Sequence, residues 1–304
     1  MNFVRLALIS SFLCICSLKV SASNMFKNFE HCSVPSKECL AEANQKIARS
    51  TPYTLPWFNL KLLQIESLIS IKEFTAAEKA ITAIKIENTP PLFSSYLTIY
   101  KAKVLIVSER RSQALKLIEE AKLNLIEINN SFYAPLRSIR IANLLLDLKR
   151  YDESLSILLS LERRFKNSKD DHFKLELYGN LGHLYRQTGD HQQSLAAYLS
   201  ALPYAKALRH NQQIMVIYGH IGQAYVYLDN PQNAELMLKK ALDYALLDGH
   251  DISITTSRLY LASFYARQFD KKNTQKELRF INPVYLNSYQ VNTWNQLKAY
   301  TSHE

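Results

Sequence analysis

Tyr178-Gly179-Asn180-Leu181-Gly182-His183-Leu184-Tyr185 returns forty residues later as Tyr218-Gly219-His220-Ile221-Gly222-Gln223-Ala224-Tyr225. Each copy is followed by a short polar turn and a second apolar run, closed by Ser194, Tyr198 and Ala201 in one and by Ala234, Leu238 and Ala241 in the other. Self-similarity at a fixed period of this length marks a stacked array of small units. Within each copy the Tyr, Leu or Ile, Gly and Tyr fall at i, i+3, i+4 and i+7, which is one face of an α-helix. A glycine on that face costs about 1 kcal/mol against alanine in helix propensity. Its return at Gly182 and Gly222 points to a second helix crossing there, too close for a Cβ. Thr188-Gly189-Asp190 and Leu228-Asp229-Asn230-Pro231 lie between the helices. Gly189 suits a left-handed C-terminal position, Asp190 and Asn230 suit N-caps, and Pro231 suits the first helical residue.

The same spacing extends in both directions. Taking the small residue of the second helix as marker gives Ala77, Ala114, Ser154, Ser194, Ala234 and Thr274, at one interval of 37 and four of 40. The crossing position reads Ile65, Ala102, Ala142, Gly182, Gly222 and Ala262, and three residues on come Leu68, Leu105, Leu145, Tyr185, Tyr225 and Tyr265. A fourth column is Ile81, Ile118, Leu158, Tyr198, Leu238 and Leu278. Four columns in register over six units predict an all-α fold, an α-solenoid of about six helix-turn-helix repeats over 57–284. Beyond Pro283, the helical spacing of Val291, Trp294 and Leu297 predicts a capping helix in 285–304, covering the last repeat's apolar face. Pro203 inside a second helix predicts a kink. Pro52 and Pro56 are expected to bracket the turn before the first repeat.

Large residue, Leu, small residue and aromatic, then Ala or Ser, large apolar and Ala, resemble the tetratricopeptide repeat at that family's relative spacings. The resemblance is to helix-turn-helix repeats that bind proteins. The period of forty rather than thirty-four is similar to the extended repeats of some bacterial activators and signalling proteins. The carboxylate-binding repeats of co-chaperones use Lys and Asn four residues apart. Asn143 falls at that Asn place, but Ile139 stands where the Lys is expected, and terminal-carboxylate recognition is not inferred.

The chain's 304 residues are 47% hydrophobic and 21% charged, with 6 Gly and 9 Pro, a globular balance that excludes disordered and collagen-like classes. Arg5, the apolar run Leu6 to Leu18 and Val20-Ser21-Ala22 read as a cleavable signal peptide over 1–22, and hence as a periplasmic or secreted protein. Removing it takes Cys14 and Cys16 out of the count and leaves Cys32 and Cys39 in the N-terminal segment 23–56, which also holds a helix-like run from Cys39. One close cysteine pair in an exported chain is most simply a disulfide. The formal charge of +10 would fall to +8 with the leader. In an exported protein that excess suits an acidic partner, cell-wall polymer or anionic surface better than nucleic acid. No later segment is apolar enough to span a bilayer.

No nucleotide-binding glycine loop, nucleophile elbow or metal-ligand motif occurs, so no enzyme activity, cofactor or metal is expected. The tyrosines at 178, 185, 198, 218, 225 and 265 lie on columns expected to be core. The residue after each crossing position should face the inside of the superhelix: Glu66, Lys103, Asn143, His183, Gln223 and Ser263, all polar. Arg140, Asn180, Arg186 and Gln187 adjoin that column. Together, Lys103, Arg140, Asn143, Asn180, His183, Arg186 and Gln223 form the expected concave surface for a protein or peptide, an acidic one among the candidates. A second expectation is a sensory module, because an exported Cys pair before long repeats looks like the periplasmic repeat regions preceding diguanylate cyclase domains.

Overall fold

The computed structural model describes residues 37–131, 133–209, 211–286 and 288–302. The expected signal peptide and Cys32, with it the Cys32–Cys39 bridge, lie outside the described residues; Cys39 itself is buried. Among the described residues all regular structure is helical. After α1 (Lys37–Ile47) come the pairs α2 (Leu55–Ser70) with α3 (Phe74–Thr82), α4 (Pro91–Val107) with α5 (Arg111–Ser131), and α6 (Pro135–Asp147) with α7 (Tyr151–Arg164). Then follow α8 (Asp171–Thr188) with α9 (His191–Ala207), α10 (Asn211–Tyr227) with α11 (Pro231–Asp248), and α12 (Asp251–Arg267) with α13 (Lys271–Leu278). The last helix is α14 (Ser288–Ser302). The chain divides into two compact units, one up to Arg164 and the other from Phe165 onward.

The turn inside each pair is one device repeated. Lys72, Glu109, Lys149, Gly189, Asp229 and Phe269 adopt left-handed φ of 66°, 60°, 62°, 83°, 54° and 56°. The next residue's N–H donates back to the carbonyl of Leu68, Leu105, Leu145, Tyr185, Tyr225 or Tyr265, at 2.8–2.9 Å. This six-residue closure satisfies a carbonyl that the helix end leaves orphaned. In the last three turns the donating residue also caps the following helix. Asp190, Asn230 and Asp270 accept from the backbone N–H of Gln193, Asn233 and Asn273 at 3.0, 3.2 and 2.9 Å. Only one of the six left-handed positions is glycine, so L side chains are held there against an intrinsic cost of about 1 kcal/mol.

The crossing column is buried throughout, from Ile65 to Ala262. A Cβ on Gly182 would come 2.7–2.9 Å from the Tyr198 ring, and one on Gly222 would come 2.7 Å from Leu238 Cγ and 3.1 Å from its backbone N. Ser194 Oγ donates to the Gly182 carbonyl at 2.9 Å, and Ser154 Oγ makes the same bond to Ala142 at 2.8 Å. The small residue of the second helix thus admits close approach and, when it is serine, ties the two backbones together.

In the first unit one apolar cluster runs from Trp57 and Phe58 through Tyr96, Leu97 and Leu125 to Leu145. In the second, Leu175, Tyr198, Ile214, Tyr218 and Ile221 pack with Ala201, Ala241 and Ala245. Val291, Trp294 and Leu297 of α14 close that unit against Leu259, Ala262, Leu278 and Ile281. Pro56 lies in the first turn of α2, where its missing N–H costs nothing, so Pro52 and Pro56 bracket the entry turn as expected. Pro203 lies inside helix α9, which spans His191–Ala207. One expectation needs correction. Of the six column tyrosines, Tyr198, Tyr218 and Tyr265 are buried, but Tyr178, Tyr185 and Tyr225 are only half-buried.

Candidate functional site

The first helix of each pair carries the residues expected to meet a partner, and the two units treat them differently. In the unit up to Arg164, Glu66 is 6% exposed and accepts a hydrogen bond from the Tyr100 hydroxyl at 3.4 Å. It belongs to the interior, correcting its assignment to an open face. Arg140 is likewise buried, 6% exposed, with its guanidinium 5.3 Å from the Tyr96 ring centroid. Burial and then the Glu66 carboxylate raise the Tyr100 hydroxyl well above its ordinary range, while Arg140 opposes them. Glu66 and Arg140 therefore act with opposite sign on one buried phenol, and this cluster is internally balanced. Lys103 is half-buried, its ammonium 5.8 Å from the Tyr100 ring. Asn143 is half-buried one position past the crossing Ala142.

In the unit from Phe165, Asn180 is 7% exposed and spends an amide N–H on the Glu176 carbonyl at 2.7 Å, so it too is internal. His183, Arg186 and Gln223 are half-buried. His183 Nε2 lies 3.0 Å from Gln187 Nε2. Burial first, then the Arg186 charge, pushes the His183 imidazole down to about 3, and burial followed by Arg186 and His183 holds His220 well below its usual range. Burial, aided by the neighbouring cation, keeps these rings neutral at neutral pH, and each can then offer one donor and one acceptor. Arg186 also acts electrostatically on Tyr227 of α10 and Tyr260 of α12, whose hydroxyls burial raises.

The first helices α8, α10 and α12 thus converge on one electropositive, aromatic-rich centre around Arg186. Two expected residues, His183 and Arg186, belong to it. His220, Tyr227 and Tyr260 were missed, although Asn180, His220 and Tyr260 stand forty apart and could have been read as a further column. Only burial shows that this column turns toward Arg186. His220 stacks on Tyr198 at 4.8 Å, and His191 stacks on Tyr227 at 4.2 Å with planes 7° apart. Among the described residues no three of His, Cys, Asp and Glu group as a metal site, and no helix is long and apolar enough to cross a membrane.

Among solved structures, NprR in complex with its cognate peptide NprX aligns at TM-score 0.59 and 12% identity, over 91% of this chain and 80% of that one. A Rap protein complexed with competence and sporulation factor aligns at 0.57 and 14%, over 86% and 72%. The signal transduction ATPase PH0952 of Pyrococcus horikoshii, with a tetratricopeptide repeat sensor, aligns at 0.56 and 15%, over 86% of this chain but 41% of that one. At these identities the likeness is one of fold. No curated protein sequence matches the chain. The tetratricopeptide repeat family matches residues 134–207 and 174–246. The stretch 134–246 of this chain therefore carries repeats of the tetratricopeptide family.

Proposed function

We propose that this chain is an exported, non-catalytic scaffold that binds a protein or peptide on the face lined by its first helices. The observation that carries the reading is the convergence of half-buried polar side chains from α8, α10 and α12 around an electropositive centre, on helices otherwise devoted to packing. Folds like this one are found in NprR in complex with its cognate peptide NprX and in a Rap protein complexed with competence and sporulation factor. The same helical pairs present parallel rows of side chains at regular spacing, suited to an extended partner. The basic balance of the chain favours an acidic one. Export rests on Arg5, the apolar run that follows and Val20-Ser21-Ala22, and a Cys32–Cys39 disulfide is its natural companion in an oxidising compartment.

Affinity capture from periplasmic extract, repeated with His183, Arg186 and Gln223 changed together to Ala, tests the binding. A partner retained equally by both forms would refute the face assignment. Mass spectrometry of the mature N-terminus tests export; a chain beginning at Met1 in the cytosol would remove that part of the proposal. A sensory role is the second reading, favoured by the repeat sensor of the Pyrococcus protein. It requires a small ligand that raises the melting temperature with concentration.

A further inference from the structure

Among the described residues, Arg186 differs from several other buried or half-buried cations in what it lacks. Lys122 pairs with Glu119, and Arg258 pairs with Glu277 at 2.8 Å. Arg140 shares its surroundings with Glu66. The Nε and Nη2 atoms of Arg186 are both buried, and neither makes a hydrogen bond to any described residue. Asp190, four residues on, is committed to capping α9 through Gln193 N–H. Nδ1 of His220, on a residue 9% exposed, is also buried without a partner.

A guanidinium taken out of water without its hydrogen bonds is a costly state, several times dearer than a lost neutral bond. The identity of the two orphaned atoms matters. Nε–H and the Nη2–H on the same side form one edge of the guanidinium, two parallel donors whose spacing matches the two oxygens of a carboxylate. The groups that α10 and α12 bring within electrostatic reach of Arg186 include an imidazole and two phenols, which can hydrogen-bond an anion but add no negative charge of their own.

We propose that the Nε–Nη2 edge of Arg186, assisted by the His220 imidazole, is a subsite for one carboxylate of a bound acidic peptide. The inference rests on the peptide-binding reading above and deepens it by naming the group recognised. Because both nitrogens are buried, the carboxylate is reached by a turn of the Arg186 or Tyr227 side chain, each of which is half-buried and keeps outer atoms in contact with solvent. With one guanidinium edge among neutral rings, the subsite takes one carboxylate, and Arg267, 5.6 Å from the Tyr227 ring centroid, adds a second cation nearby. Its source is a peptide's C-terminus or an Asp or Glu side chain; a free small carboxylate is the competing source.

The test follows the ring resonances of His183 and His220 by NMR during titration with four probes. These are acetyl-tetraalanine with a free carboxylate, its C-terminal amide, acetyl-Ala-Glu-Ala-Ala amide, and acetate. The expected result is binding of at least one carboxylate-bearing peptide, weakened roughly tenfold or more in Arg186→Gln, as expected for loss of a charge-assisted bond. Arg186→Lys, which keeps the charge but not the fork, should lose most of the same affinity, and it serves also if Arg186→Gln fails to fold. Binding of the tetraalanine amide as tight as that of both carboxylate-bearing peptides, or unchanged affinity in both variants, would overturn the subsite while leaving peptide binding standing. Acetate binding as tightly as the peptides would keep the subsite and sink the peptide reading. No response to any carboxylate probe would overturn the inference outright.

Discussion

Gly179 and Gly182 lie one turn apart on α8 and should respond to alanine with opposite sign. A Cβ at Gly179 would have no neighbour within 4 Å, whereas at Gly182 it would sit 2.7 Å from Tyr198 Cε1, 2.8 Å from Cδ1 and 2.9 Å from Cγ. Tyr198 is 1% exposed and stacked on His220, so its ring has nowhere to swing. In both variants the helix gains about 1 kcal/mol from replacing glycine. At Gly179 that gain stands alone, and Gly179→Ala should stabilise by up to about 1 kcal/mol. At Gly182 overpacking costs roughly 1–3 kcal/mol and consumes it. Gly182→Ala should therefore destabilise by about 1 kcal/mol, and Gly182→Leu by several. Gly219 and Gly222 repeat the contrast one unit later, with nearest contacts of 3.7 and 2.7 Å. Denaturant unfolding, read by circular dichroism as a shift in midpoint at constant slope, measures all four alanine variants. Equal midpoints for Gly179→Ala and Gly182→Ala would refute the claim that the repeated glycine exists to admit the crossing helix.

Other consequences can be measured on the same preparation. Gly189→Ala should cost about 1 kcal/mol and Glu109→Gly should gain up to as much, because both positions are left-handed and only one has the residue suited to it. Ser194→Ala should lose about 1 kcal/mol with its bond to the Gly182 carbonyl, unless a water replaces the hydroxyl. The histidines make the fold acid-sensitive. A base whose folded pKa is depressed is neutral in the native state, so its contribution is present above the unfolded value near 6.5 and is lost as pH falls toward the folded value, about 3 for His183. Lowering pH from 7.5 to 5 should destabilise by about 1–2 kcal/mol for His183, part of it screened because the ring is only half-buried, and His183→Gln should flatten the slope of melting temperature against pH.

The helical pairs, their register and their turns were legible in the residues, because a repeat writes each constraint several times. Leu68, Leu105, Leu145, Tyr185, Tyr225 and Tyr265 were marked as one column by spacing alone. The structure finds their carbonyls closing the same turn in all six pairs. Periodicity reports which residues share a helix face, and in this chain the apolar face repeats so faithfully that its partners follow. The depth of the polar face could not be read the same way. Glu66, Arg140 and Asn180 stand in polar columns or beside them yet are buried, since the packing of neighbouring helices decides whether a side chain reaches water or a phenol.

What the order of residues determined by itself is local: where helices begin and end, which side of each is apolar, and where a backbone must pass close to another. Tertiary structure alone decided which charges find partners. Arg140 and Arg186 each stand on the first helix of a pair, one in either unit, but Arg140 lies with a carboxylate beside a shared phenol, while Arg186 lies among neutral rings with one edge unbonded. Pairing of charges depends on distances between helices far apart in sequence, and no single helix's pattern carries those distances.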